Sequence, residues 1–206
     1  MPDDAIDGQS TEHYTWEEAE NIISALVDHV DCQLVVALAC FLGLRPGEIA
    51  GLRWEDFDGE CVHIRRSVVR GNIGTPKTVE SLAPIPLIDP IRVPLELWRI
   101  KKDNPSEGWL FPSEANTPTT LNNLVNRIIK PTLKNKGIVW KEGGLYCGRR
   151  GACTEAIEKT NGNYAIAQAL LRHKHMTTTL KVYKKQITPD AFKAGMKMLE
   201  AAASKK

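Results

Sequence analysis

The sequence has no apolar run long enough to cross a bilayer. Its longest, Leu34 to Leu44, falls short of the ~20 residues a membrane helix needs, and no charged-then-apolar leader begins at Met1. The expectation is a chain that is neither spanning nor secreted. CxxC pairs are absent too. The five cysteines, at 32, 40, 61, 147 and 153, are odd in number and lie mostly in apolar surroundings, as reduced thiols of a cytoplasmic protein do. Neither a disulfide framework nor a zinc site is expected. There is no glycine-rich Walker loop and no aspartate cluster of the kind a two-metal nuclease uses, so no cofactor and no metal is expected. Internal repeats are lacking, and low complexity is confined to the terminal Ala-Ala-Ala-Ser-Lys-Lys.

What is present is a globular composition: 206 residues, 42% hydrophobic and 25% charged, with a formal net charge of +2. That small net charge hides a strong asymmetry. Residues 1 to 60 carry 2 basic and 14 acidic side chains, whereas residues 61 to 206 carry 25 basic and 11 acidic ones. A basic excess of this size over the downstream part points to a polyanionic partner, of which nucleic acid is the commonest.

Residues 1 to 13 are polar, acidic and without apolar periodicity, and read as a disordered leader or linker stump ahead of one domain over 14 to 206. Thr15 followed by Glu18 forms a capping box, and Ala19, Ile22, Ile23, Leu26 and Val27 continue at helical spacing. Leu34 to Leu44 is apolar nearly all round, the mark of a buried central helix, and Gly43 supplies the backbone freedom its end requires. Pro46 fits the first turn of a short helix, which leaves Arg45 at a helix-to-helix junction. The period then shortens. Val62, Ile64 and Val68 alternate, and apolar character resumes over Leu82 to Leu87 after a glycine-bearing turn that includes Lys77. A small antiparallel sheet over about 61 to 87 is expected, with Pro84 and Pro86 confining its last strand to an edge. Helices are expected at 93–100, 120–130, 150–159, 164–171, 177–185 and 189–202, the last opened by Thr188-Pro189. The fold class is mainly α with a small antiparallel β insert.

Four features carry ionisable groups suited to chemistry, and each taken singly has an ordinary structural explanation. Arg45 follows Gly43-Leu44 and could simply pair with Glu48. Tyr146-Cys147-Gly148-Arg149-Arg150 sets two arginines at the expected start of a helix, where anions gather but where solvated charges are commoner. In Leu170-Leu171-Arg172-His173-Lys174-His175 an apolar helix end meets four ionisable groups, and Tyr183 lies among lysines shortly after it. A tyrosine at helical spacing usually only packs.

In this order, however, the constellation resembles the catalytic domain of the tyrosine recombinases, the phage integrase family, over about residues 15 to 190. Gly43 to Asp56 looks nearly residue for residue like the family's first-arginine motif. Thr75-Pro76-Lys77-Thr78 resembles its β-hairpin lysine, Arg149 its second arginine, Leu170 to His173 its third motif, and Tyr183 its nucleophile. Two positions depart from the pattern. The second motif opens with Tyr146 where the family usually has histidine, and tyrosine, with a reference pKa of about 10, is a poor base near neutrality but still a hydrogen-bond donor. The interval from His173 to Tyr183 is one residue longer than the family spacing, which turns a helix by roughly 100°.

The resemblance implies metal-independent phosphoryl transfer at a DNA phosphodiester. Arg45 and Arg149 would clamp the nonbridging oxygens, since guanidinium forks match phosphate and stay charged. Tyr183 would attack to give a 3′-phosphotyrosyl enzyme, Lys77 would protonate the departing 5′ oxygen, and His173 would bond the phosphate or assist the tyrosine proton. Tyr146 enters the site in place of the usual histidine. Arg65, Arg66, Arg70, Arg127, Lys130, Arg150 and Lys174 are the candidates for tracking DNA backbone phosphates. The implied partners are double-stranded DNA and further recombinase protomers, a tetramer in synapsis, and the implied location is the cytoplasm. A type IB topoisomerase-like enzyme and a DNA-binding module with lapsed chemistry share the same residues and stay open at this point.

Family members carry a further N-terminal helical domain. The short acidic leader here therefore reads as the edge of a fragment, with a reduced homologue as the alternative. The helix from Pro189 resembles the segment that relatives pack on a neighbouring protomer, and folding back in cis is the equal alternative.

Overall fold

The computed structural model describes residues 12–75 and 82–182, together with residues 193, 196 and 197. Lys77, Tyr183, residues 1–11 and most of the expected helix 189–202 lie outside the described residues. Lys193, Met196 and Lys197 are helical.

The N-terminal helix α1 spans Trp16–Ala25. Its capping box is formed as expected, with the Thr15 hydroxyl accepting from the Glu18 N–H at 3.1 Å and Glu18 Oε2 accepting from the Thr15 N–H at 2.9 Å. Helix α2, Val30–Cys40, is the hub: Leu34, Val35, Val36, Ala37, Leu38 and Ala39 are all buried, because α1, α4 (Asp89–Lys101) and α7 (Leu145–Lys159) cover it on different sides. An all-round apolar helix is stable only under such cover, each buried Leu or Val contributing about 1.5–3 kcal/mol. The short helix α3, Pro46–Ala50, follows at once.

Among the described residues the β insert consists of two antiparallel two-stranded ladders. Strand β1, Cys61–Val62, pairs with β4, Ile85–Pro86. Strands β2, Ser67–Val69, and β3, Asn72–Gly74, form a tight hairpin with Val69 opposite Asn72. Its two turn residues, Arg70 and Gly71, both have positive φ, at 52° and 80°, the requirement of a two-residue turn that follows strand twist. Val62 and Ile64 are buried and Val68 half-buried, as their alternation requires.

The remaining helices close the molecule. Helix α5, Leu121–Leu124, runs through a π turn at Val125–Ile129 into α6, Lys130–Asn135. Helices α7, α8 (Tyr164–Leu171) and α9 (Met176–Val182) pack on one another around Ala152, Cys153, Ile157, Ala167 and Leu171. Helix α7 begins at Leu145, about a turn earlier than the expected 150. Arg149 and Arg150 therefore stand inside the helix, not at its amino end, and owe nothing to unpaired first-turn N–H groups. Among the described residues no helix is long and apolar enough to cross a membrane.

Candidate active site

The site begins where the chain leaves α2. Gly43 takes φ +61°, and a Cβ there would clash with Leu171 Cδ2 and stand 3.2 Å from Ala152 Cβ. Only glycine lets the chain pass this close to α7 and α8. Two residues on, Arg45 is the N-cap of α3. Glu48 holds it twice, Oε2 accepting the Arg45 backbone N–H at 2.9 Å and Oε1 accepting Nη1 at 2.7 Å. The Arg45 side chain nonetheless stays 39% exposed, while Glu48 is buried. The ion pair considered for Arg45 from sequence exists, and it orients the guanidinium without hiding it. Gly47 presses α3 on the hairpin, since a Cβ would meet Ser67 Oγ at 2.6 Å and the Val68 carbonyl oxygen at 2.8 Å.

Arg149, on the second turn of α7, is buried and joins the parts. Nη1 donates to the Gly43 carbonyl oxygen, Nη2 donates to that of Leu171 at 2.7 Å, and Nη2 also lies 3.1 Å from His173 Nε2. A guanidinium only donates, so His173 Nε2 is the acceptor and the proton sits on Nδ1, which donates to Thr179 Oγ1 at 3.0 Å. Thr179, on α9, is fully buried. Burial first, then the Arg149, Arg45 and Arg172 charges, push the His173 pKa down to about 4, which leaves the ring neutral at neutral pH. Burial and the nearby Arg45 charge also push Arg149 down, to about 9, still protonated at neutral pH.

Arg172 is the buried cation of the cluster to which sequence reasoning gave no role. It was legible only as a letter in the third motif. It caps α8 with φ 52° and ψ 45°, is 3% exposed, and its Nη2 donates to Glu48 Oε2 at 2.7 Å across 124 residues of chain. The available signal was a long charged residue directly after an apolar helix end, where a left-handed cap favours glycine. Burial on its own would raise the Glu48 carboxyl, but the Arg172 charge, the Arg45 N–H and the Arg45 charge hold it below the ordinary carboxylate range.

Arg45, Tyr146, Arg172, His173 and Lys174 line one open cleft of about 750 Å³, roofed by the β2–β3 hairpin as far as Thr75. Arg149 stands directly behind His173. Tyr146 is 53% exposed, on the first turn of α7. The described chain stops short of Lys77 just after Thr75, which lines the cleft, and short of Tyr183 just after α9, whose Thr178 lines it. In the cluster Arg45 and Arg172 share the Glu48 carboxylate and Arg149 adds a third guanidinium nearby, a charge pattern that calls for an anion.

Several expected phosphate-tracking residues are engaged elsewhere. Arg66 Nη1 donates to Asp56 Oδ2 at 2.6 Å and to the Gly51 carbonyl oxygen at 3.2 Å, and Arg65 Nη1 donates to Asp56 Oδ1 at 3.2 Å. Asp56 is fully buried, and a buried carboxylate demands such partners, so both arginines carry a structural task. Arg65 keeps 51% of its side chain exposed. Arg150 points away from the cleft: its Nε donates to the Glu12 carbonyl oxygen at 2.7 Å and its Nη2 to Cys147 Sγ at 3.0 Å. One residue along a helix turns the side chain by roughly 100°, which separates it from Arg149. Arg70 at the hairpin tip, Arg127, Lys130 and Lys174 are exposed. Four of the five cysteines are buried and Cys61 is half-buried; burial pushes the Cys153 thiol up to about 11 and Cys40 up to about 12.

A mainly helical domain with a β insert, in which Arg149 of α7 meets the histidine just past α8 beside the arginine that caps α3, is a tyrosine recombinase catalytic domain, an enzyme that breaks and rejoins DNA strands. The chain belongs to the phage integrase family, whose model matches residues 13–188. It is similar to the Tn1549 transposon integrase (residues 82–397) in complex with circular intermediate DNA, at 21% identity and a TM-score of 0.73, over 94% of this chain and 68% of that one. XerA recombinase is similar at 17% identity and a TM-score of 0.69, covering 93% of this chain and 64% of the other. A lambda integrase dimer bound to a core site gives 18% identity and a TM-score of 0.58, over 84% and 48% of the respective chains. No curated protein sequence matches the chain.

Proposed function

We propose that this domain cleaves one strand of double-stranded DNA by attack of the Tyr183 hydroxyl on a phosphodiester seated in the cleft between α3 and the end of α8. The observation that carries the reading is that Arg45 and His173 line one cationic cleft with Arg149 bonded to His173 behind it, the three coming from separate stretches of chain. In the step, the Tyr183 hydroxyl gives up its proton to solvent water, Tyr183 Oη bonds to phosphorus, the bond from phosphorus to the 5′ oxygen breaks, and Lys77 supplies the proton that the leaving oxygen takes. Arg45 and Arg149 hold the nonbridging oxygens as charge builds on them. His173, neutral and with its Nε2 lone pair on Arg149, sets the direction of that guanidinium, and Tyr146 offers a phenol hydrogen bond at the cleft mouth. Attack by a new 5′ hydroxyl on the phosphotyrosyl bond reverses the sequence and rejoins the strand, so the energy of the cut bond is retained.

Arg70, Arg127, Lys130 and Lys174, all exposed, are the side chains available to backbone phosphates. Relatives solved on DNA, one of them as a dimer, support a reaction carried out by several protomers on a DNA site, four in synapsis. A DNA-acting enzyme with buried free thiols fits the cytoplasm.

The test is a duplex carrying a nick close to the cleavage position, so that the released fragment diffuses away and the phosphotyrosyl adduct is trapped. The chain should form an adduct stable to denaturation, and Tyr183→Phe should form none. Cleavage by Tyr183→Phe at the same position would overturn the assignment of the nucleophile.

A further inference from the structure

Arg172 carries two separate costs that its visible contacts do not repay. Its backbone is left-handed, at φ 52°, a conformation that any residue with a Cβ resists. Its side chain is fully buried, yet only Nη2 is bonded. Nε and Nη1 have no partner among the described residues. Buried donors of a charged group are rarely left unmade without a reason.

Neither simple explanation accounts for it. As a helix cap the position would be served better by glycine. As a mere counterion to satisfy Glu48 it would be surplus, because Arg45 already pairs with that carboxylate, so its charge acts beyond satisfying Glu48. What Arg172 changes is the balance of charge at the cleft. With Glu48 Oε1 on Arg45 and Oε2 on Arg172, the single carboxylate is shared between two guanidiniums, and Arg149 adds a third.

We propose that Arg172 is a positioning residue of the anion site: it holds Glu48 in place so that Glu48 can aim Arg45 into the cleft, and its charge offsets Glu48 so that a phosphate meets the undiminished charge of Arg45 and Arg149. The inference rests on the phosphodiester reading above and identifies a third guanidinium that this chain adds to the site.

The experiment uses the full chain in two arms. In the first, single-turnover cleavage of the nicked duplex is compared for wild type, Arg172→Gly, Arg172→Gln and Arg172→Lys. Glycine removes the backbone strain and so offsets part of the lost Glu48 ion pair; Arg172→Gly should stay folded with a lowered thermal midpoint while the cleavage rate, measured well below that midpoint, falls at least tenfold with little change in half-saturating DNA. Arg172→Gln should fall likewise, and Arg172→Lys should recover part of the rate. In the second arm, inorganic phosphate is titrated against the His173 imidazole signals in NMR. Wild type should bind phosphate at least fivefold more tightly than Arg172→Gly or Arg172→Gln, and the His173 pKa should rise in both variants. Should Arg172→Gly fail to fold, Arg172→Gln decides in both arms. Wild-type cleavage rates in the neutral variants, or unchanged phosphate affinity, would overturn the proposal. If wild type forms no adduct, the strand-cleavage reading falls and the phosphate arm alone judges Arg172, with absence of phosphate binding by wild type counting against it.

Discussion

Arg149 and His173, 24 residues apart in sequence, meet with Nη2 3.1 Å from Nε2, and this contact defines the protonation of the histidine. Because the guanidinium can only donate, the ring presents a lone pair to it and turns its Nδ1–H to Thr179. Protonating Nε2 would set two cations face to face in a half-buried space.

A pH dependence of stability follows. The His173 pKa stands at about 4 in the folded protein against an ordinary value of 6.5, so the unfolded chain binds the proton more readily. The contribution is complete above pH 6.5 and is lost as pH falls toward 4. Thermal melts across this window should show the midpoint dropping with acidification, and His173→Gln should flatten that part of the profile. An equally steep profile in His173→Gln would locate the dependence in other groups.

Gly43→Ala should destabilise the fold and the site together. The positive φ costs about 1–2 kcal/mol for a residue with a Cβ, and the clash with Leu171 adds an overpacking term of about 1–3 kcal/mol. Urea unfolding should show the loss as a lower midpoint. A variant as stable as wild type would mean that α2 and α8 separate more easily than their contacts imply.

Arg66 and Arg127 should behave oppositely. Arg66→Ala strips the buried Asp56 of its shorter partner and should cost about 1–3 kcal/mol in denaturant unfolding. Arg127→Ala removes an exposed side chain and should stay within about 0.5 kcal/mol of wild type. In DNA binding it should lower affinity uniformly across sequences and reduce the salt slope by about 1. Matching stability losses in the two variants would refute this division of labour.

At the reacting centre, Arg45→Ala and Arg149→Ala should each nearly abolish adduct formation, with Arg149→Ala also lowering the thermal midpoint because it frees the Gly43 and Leu171 carbonyls. Tyr146→His should cleave as well as wild type or slightly better, since the exposed position accepts either ring. Complete loss of cleavage in Tyr146→His would show that the phenol has a task of its own.

The elements were legible wherever a local rule governs them. Thr15 and Glu18 cap α1 as their spacing requires, the all-round apolar stretch Leu34 to Leu44 marked the hub helix, which starts four residues earlier at Val30 and ends at Cys40, and Pro46 opened α3. The start of α7 was not legible, because its first turn carries Leu145, Tyr146, Cys147 and Gly148 without a capping side chain. The β insert was readable as a period-2 region, while its division into two ladders depended on which strands found partners.

The sequence by itself determined the residue types and their order: a glycine before an arginine, two further arginines, a histidine and a late tyrosine, together with the apolar pattern that folds the helices carrying them. Only the tertiary structure decided how each charge is used. Arg65, Arg66 and Arg150 look in sequence like Arg127, yet the first two answer the buried Asp56 and the third ties down the N-terminal segment. Arg172, unassigned from sequence, shares Glu48 with Arg45. The reason is physical: apolar burial follows a local period that a sequence displays, whereas a charge acts on whatever the fold brings within a few ångströms, and that neighbour stands 10 residues away for Arg66 and 124 for Arg172.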